Sequence, residues 1–306
     1  MTIDCSNHSG EILDRSNSFD VIKCEQCGYI HITPLPTEEE LNKIYGEEYY
    51  TVEKPLFIER QKEDIEWWRT IFDDRYTYLE SRIGEAERTI LDIGCGPGFF
   101  LQRGSERGWK GVGVEPSRQA SAHAQSIGCE VHNLFLQQAE KELNGKNFNV
   151  IHMSEVLEHI PNPSEICAIA ERLLNPGGIL CVVVPNDYNP LQKVLRRQQE
   201  YRPYWLAPPH HINYFTFADM ENLLQATGFT VIHKTAMFPM ELFLLMGDNY
   251  VGNDQLGREC HGKRKRLDIA LSSAELQPFR LELYELMSRH EIGREMIIYA
   301  QKPVQA

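Results

Sequence analysis

The chain has 306 residues, 42% hydrophobic and 25% charged, enough to bury a full core in one large domain or one domain with an appendage. Its formal net charge of −13 argues against a protein built to grip nucleic acid, because phosphate binding needs a basic face. No apolar run approaches the roughly 18 residues that a membrane helix needs, and the polar start has no signal-peptide core, so the expected location is cytoplasmic, with no membrane partner.

The first feature along the chain is a cluster of metal-ligand residue types. Cys5-x-x-His8 is followed by Cys24-x-x-Cys27, with Gly28 free to turn the backbone after the second knuckle. Two such knuckles let four ligands converge tetrahedrally on one zinc ion, and a site with all four positions filled by protein is structural. Strand-like runs at 19–23 and 29–32 make this a small zinc-ribbon-like module, closed by Pro34-Leu-Pro36. The other cysteines, Cys95, Cys129, Cys167, Cys181 and Cys260, are scattered, several in apolar stretches, and read as thiols in a reducing compartment.

Thr37 and Glu40 form a capping-box pattern, predicting a helix to about Tyr45. Tyr49-Tyr50 follows, then a longer helix over 57–83 with Trp67, Trp68, Ile71, Phe72 and Leu79 as its apolar material. From Thr89 short apolar runs alternate with helical segments. Strands are expected at 89–93, 111–115, 130–132, 148–153 and 178–184, and helices at 98–107, 117–127, 134–143 and 163–174. A helix at 217–227 and strands at 229–235 and 295–300 end the pattern. This alternation predicts an α/β domain with a parallel sheet covered on both faces. The expected organisation is a leader at 1–46, a helical lead-in at 47–84, and the α/β domain at 85–306 with an insertion at 236–291.

The first α/β strand runs into Gly94-x-Gly96-x-Gly98, and the second ends at Glu115. Glycines there allow a tight turn and close approach of a nucleoside ligand, and an acid at that distance can bind both ribose hydroxyls. A dinucleotide fold shares both features, so an NAD-dependent oxidoreductase or epimerase is one alternative. Two details oppose it. The dinucleotide pattern wants its third glycine where Phe99 stands, and Asp92 would repel a pyrophosphate but attract a cationic amine.

With Phe148 to Pro161 (reading Ser154-Glu-Val-Leu-Glu-His159 within it) and Leu174-Asn-Pro-Gly-Gly178, residues 89–235 resemble the class I S-adenosylmethionine (SAM) dependent methyltransferases. The resemblance implies a Rossmann-like seven-stranded sheet whose final strand is antiparallel, with SAM as cofactor. It places Asp92, Gly94, Cys95, Gly96, Gly98 and Phe99 around the methionine part, and Glu115 with Pro116 at the ribose. Asn133 and Leu134 fall beside the adenine, with ordinary loop and core as their alternative. Met153 and Ser154 pass near the methionine moiety. Tyr50 closes over that end or packs the leader on the sheet.

Cys24 to Gly28, Pro34-Leu-Pro36, Glu40-Leu41 and Tyr49-Tyr50 are similar to the zinc-binding leader of many bacterial methyltransferases, nucleotide-sugar C-methyltransferases among them. The implied partner is a small-molecule acceptor, nucleotide-linked or otherwise phosphorylated acceptors included, and a homo-oligomer is compatible with the sequence. Those relatives carry a histidine in two segments that match His159 and His211-Ile-Asn-Tyr-Phe215, the later one as general base. His210 is the alternative base, and His159 alternatively braces its loop. A nucleic-acid methyltransferase docked by the ribbon is a further alternative, opposed by the charge. In the insertion, Met237, Phe238, Met240, Phe243 and Met246 read as a lid or as helix core. Arg258, His261 and Lys263-Arg-Lys-Arg266 read as a phosphate grip or as a solvated helix face.

Overall fold

The structure is a computed structural model and describes residues 8–46, 54–84, 86–143 and 145–304. The sheet follows the apolar alternation. β4 (Thr89–Ile93), β5 (Lys110–Val114), β6 (Glu130–His132), β7 (Phe148–Ser154), β8 (Leu174–Pro185), β10 (Thr230–Ala236) and β11 (Glu295–Gln301) form seven strands in the order β10-β11-β8-β7-β4-β5-β6. β11 lies antiparallel to both β8 and β10, as expected for the final strand, and β4 to β8 pair in parallel.

Helices α4 (Phe99–Glu106), α5 (Arg118–Ser126), α6 (Leu136–Glu142), α7 (Pro163–Leu173) and α9 (Phe217–Ala226) cover the sheet. The strand period of two separates two cores. Leu91 and Ile93 face one cluster with Ile151 and Met153, whereas Ile90 joins Val150, Cys181 and Val183 against the other. The lead-in splits into α2 (Phe57–Glu63) and α3 (Ile65–Ile83), broken at Asp64. α3 buries Trp67, Ile71, Phe72, Tyr76 and Leu79 on the second cluster.

The leader is more than a ribbon. β1 (Gly10–Ser16), β2 (Phe19–Cys24) and β3 (Ile30–Thr33) form an antiparallel sheet, and α1 (Glu38–Lys43) follows with its Thr37–Glu40 capping box formed. The fourth strand of that sheet is β9 (Asn213–Tyr214), supplied from the chain segment after β8, with α8 (Pro190–Gln199) between them. Val21, Ile30 and Ile32 share an apolar cluster with Tyr188, Trp205, Ile212 and Tyr214. Each such side chain contributes about 1.5–3 kcal/mol on full burial, so the leader is welded to the α/β domain.

The insertion is helical: α10 (Glu241–Leu245), α11 (Asp254–Ser273) and α12 (Gln277–Arg289). Most of its methionine stripe is core. Met237 joins the second cluster, and Met240 and Phe243 pack around Cys260, while Met246 is exposed. The basic run does not form one patch. Lys263 pairs with Asp248 at 2.7 Å, Arg264 lies buried over the Trp67 ring, and Lys265 pairs with Asp64. No helix of the described residues is long and apolar enough to cross a membrane.

α11 and α12 are tied to α3 through one buried acid. Asp268 is 1% exposed and accepts from Trp67 Nε1 at 2.8 Å and from the Tyr284 hydroxyl. Removing it strands two buried donors and leaves the Arg280 guanidinium with Asp74 alone. Asp268→Ala is expected to cost about 3–5 kcal/mol, read as a lowered urea midpoint with an unchanged slope.

Candidate active site

A cleft opens at the carboxyl ends of β4, β5 and β7, where ligands bind in open α/β sheets. Its floor is the glycine turn. Gly94 (φ +69°) closes the strand, and a Cβ there would sit 2.5 Å from Val156 Cγ2. Gly98 (φ +85°) caps α4, and a Cβ there would lie 2.7 Å from Ala124 Cβ. Both positions therefore exclude any other residue by backbone and by space.

Glu115 stands at the end of β5, 6% exposed. Its carboxylate accepts from the Gly96 amide at 2.9 Å and from the Ser117 amide at 2.8 Å, so the acid and the glycine turn hold each other. Burial outweighs these bonds and pushes its pKa up to about 7. Cys95, Pro97, Phe99 and Pro116 complete this part of the wall.

Asp92 is buried at the bottom of the cleft and is not alone there. Parallel pairing sets Asp92 beside His152 of β7. His152 Nδ1 donates to Asp92 Oδ1 at 2.7 Å, and Arg75 Nη1 of α3 donates to His152 Nε2 at 3.2 Å. Phe100 stacks on the imidazole with centroids 3.9 Å apart. Burial lowers the His152 pKa despite the adjacent carboxylate, so the ring is a neutral bridge between an acid and a guanidinium. Sequence reasoning missed both partners. The available signal was one polar residue inside Val150-Ile-His-Met153, where a buried strand should be apolar.

Several expected residues sit elsewhere. The register that sets His152 toward the cleft turns Met153 into the opposite core, so Ser154 and Glu155 line the wall and Met153 does not. Asn133 and Leu134 are also outside the lining. Asn133 braces the turn by donating to the Glu115 and Pro116 carbonyls, and Leu134 packs on the core. Phe135, Leu136 and Gln137 line the cleft instead. Tyr50 lies outside the described residues. The lead-in contributes Phe57, Gln61, Trp68, Phe72 and Arg75 as a second wall.

His159 lines the far side of the cleft, and His211 stands beside it, outside the lining. A one-turn 3-10 helix at Leu157–His159 follows β7 and carries Glu158 and His159. His159 Nδ1 donates to the His210 carbonyl at 2.7 Å, and the Tyr45 hydroxyl donates to the same carbonyl at 2.7 Å. The His159 and His211 rings meet edge to face, centroids 5.0 Å apart. Burial lowers His159 to about 4 and His211 to about 3, keeping both neutral at pH 7. Glu158 is pushed well up by its own burial and by the Glu155 carboxylate.

In the leader, His8, Cys24, Cys27 and His31 bring one donor atom each within 4.8 Å of one another. His8 Nδ1 lies 3.8 Å from Cys24 Sγ, 3.6 Å from Cys27 Sγ and 3.0 Å from His31 Nε2. Cys5 lies outside the described residues. His31 was not anticipated, because within Tyr29-Ile-His-Ile32 it reads as strand. Its Nδ1 donates to the Ile32 carbonyl at 2.8 Å, which leaves Nε2 unprotonated toward the thiols. Two thiols and two imidazoles suit zinc, and that hydrogen bond is of the kind that orients a ligating histidine.

A family model described as a methyltransferase domain matches residues 65–234, more than half of the chain. This chain belongs to that family. Among curated proteins, the ubiquinone biosynthesis O-methyltransferase of Pseudomonas paraeruginosa is 32% identical over 110 residues, covering 34% of this chain and 47% of its own length. The protein of that name from Agrobacterium fabrum is 28% identical over 156 residues, 49% of this chain and 62% of its own. The chain thus spans about half the length of the curated relatives it matches. The magnesium protoporphyrin IX methyltransferase of Synechocystis PCC 6803, solved with bound SAH, superposes with a TM-score of 0.53 at 12% identity, over 87% of this chain and 100% of that one. The fold is therefore that of the class I SAM-dependent methyltransferase domain.

The cleft residues predict a pH signature. Glu115 accepts hydrogen bonds as a carboxylate and takes up a proton near pH 7 in the ligand-free cleft. The SAM dissociation constant is expected to rise by up to about tenfold per unit as pH falls below about 7. Glu115→Ala should weaken binding by roughly 10- to 100-fold at pH 8 and flatten that profile, measured by isothermal titration calorimetry.

Proposed function

We propose that this protein transfers the methyl group of SAM to an oxygen of a small-molecule acceptor. The observation that carries the reading is the single cleft that joins the Gly94–Gly98 turn and Glu115 on one side to His159 and its neighbour His211 on the other. In this reading Glu115 and Pro116 hold the ribose, and Phe135, Leu136 and Gln137 flank the adenine. Asp92, Gly94, Cys95, Gly96, Gly98, Phe99 and Ser154 surround the methionine part. Asp92 attracts the methionine amine while sharing its charge with His152.

SAM supplies an activated methyl group. The chain's own tasks are to hold the acceptor in line with the sulfonium, exclude water and accept the acceptor's proton. His211 is assigned as the base. Its Nδ1 is buried with no hydrogen-bond partner, whereas His159 Nδ1 is committed to the His210 carbonyl. The O-methyltransferase names of the curated relatives support oxygen as the accepting atom. A nucleotide-linked or other phosphorylated acceptor is the finer form of this reading. It is supported by the resemblance to nucleotide-sugar methyltransferases.

We also propose that residues 1–46 form a structural zinc module using Cys24, Cys27 and His8, with Cys5 or His31 as fourth ligand.

Radiolabelled SAM incubated with a panel of phenols, nucleotide sugars and other phosphorylated metabolites, with mass spectrometry of the product, tests the activity. Transfer to none of them would overturn it. His211→Ala is expected to lower turnover by about 10²- to 10⁴-fold with SAM affinity unchanged, and a near-normal rate would remove His211 from the base role. Protein purified without added zinc should carry about one equivalent of the metal; less than half an equivalent would overturn the zinc module.

A further inference from the structure

We infer that Glu158, His159 and His211 form a divalent-cation site at the acceptor side of the cleft, distinct from the leader cluster. The inference rests on the methyltransferase reading and deepens it by adding a metal to the same site.

Four observations carry it. Glu158 is 1% exposed, yet both of its carboxylate oxygens lack a hydrogen-bond partner. A buried carboxyl group with no donor on either oxygen is costly, and a cation at that position removes the cost. One donor atom from each of the three residues lies within 4.8 Å of the others. His159 Nε2 is 3.7 Å from Glu158 Oε1, and ligands bound at about 2.0–2.2 Å to one ion stand roughly 3–3.5 Å apart, so this pair closes by only a few tenths of an ångström.

The third observation is the tautomer. The His159 Nδ1 proton is given to the His210 carbonyl, so the Nε2 lone pair faces Glu158, the arrangement that orients a ligating imidazole. The fourth is the rigidity of the two segments that carry the ligands. The Ile212 amide donates to the Glu158 carbonyl at 2.7 Å, and Asn213 Nδ2 donates to the carbonyls of Leu157 and Ile160 at 2.8 and 2.7 Å. The ligands are therefore held together before any ion arrives.

Three protein ligands leave coordination positions open, and His159 lines the cleft, so acceptor oxygens complete the shell there. Two imidazoles and one carboxylate favour a first-row divalent ion such as Mn²⁺ or Fe²⁺ over Mg²⁺ and Ca²⁺, which prefer oxygen throughout. A cation on His211 and proton abstraction by that ring exclude each other, so metal loading decides which of the two roles the residue has.

The test uses the full chain, freed of metal by dialysis against a chelator and titrated with Mn²⁺ by calorimetry and pulsed electron paramagnetic resonance. The expected result is one Mn²⁺ site with ¹⁴N coupling from imidazole, weakened at least about tenfold in Glu158→Gln and in His211→Ala while SAM binding is kept. Absence of ¹⁴N-coupled Mn²⁺ in the unmodified chain, which needs no variant to fold, would overturn the site. So would Mn²⁺ affinity in both variants equal to that of the unmodified chain. Methyl transfer that survives chelation overturns the metal site and leaves His211 as base. Mn²⁺ binding without transfer to any acceptor overturns the methyltransferase reading and leaves the site standing.

Discussion

A carboxylate buried at the bottom of a ligand cleft must be answered by something, and Asp92 is answered by a neighbour that the parallel register supplies. His152 stands next to it on β7, and Arg75 reaches His152 from α3. This chain of three groups explains why the lead-in belongs to the site. Without α3 the imidazole would lose its guanidinium partner, and the cleft would lose the wall formed by Trp68, Phe72 and Arg75. α3 is in turn held by the helices of the insertion through Asp268, so a segment far from the glycine turn in sequence supports the residues around Asp92.

Glu115 answers a second constraint in a different way. Its partners are backbone amides of the turns it stabilises, Gly96 and Ser117, so the acid orders the loop that must also approach the ligand closely. The two acids thus have opposite supports. Asp92 depends on side chains brought from β7 and α3, and Glu115 on peptide groups of the β4–α4 and β5–α5 connections.

The sheet was legible because its signals are local. Apolar runs of strand length alternate with helical ones, and glycines punctuate them; the strands of the α/β sheet lie close to their expected bounds except β8, which begins at Leu174 rather than 178. The glycine turn and Glu115 were legible for the same reason. What escaped were consequences of pairing between distant segments. β9 is two residues long, and nothing in Asn213-Tyr214 says that β3 is its neighbour. His152 and His31 each sit singly in an apolar strand, where a side chain's role depends on what lies beside it in the sheet. Met153 lies one strand position, and Asn133 a short loop offset, from residues that line the cleft, since a period of two reverses the face with each residue. The basic run at 263–266 looked like a patch because its residues are adjacent in sequence, but a helix spreads adjacent residues around its axis.

The β3–β9 pairing gives the leader a standing that a separately folded appendage would not have. His31 and Asn213 are paired partners, and Asn213 also clamps the backbone that carries Glu158 and His159. The segment that follows His211 is therefore an edge strand of the leader sheet and a clamp on the turn that carries His159 at once. Such a leader is not a cassette. Exchanged between relatives, it would carry its own register into the strand pairing that clamps the Glu158–His159 turn.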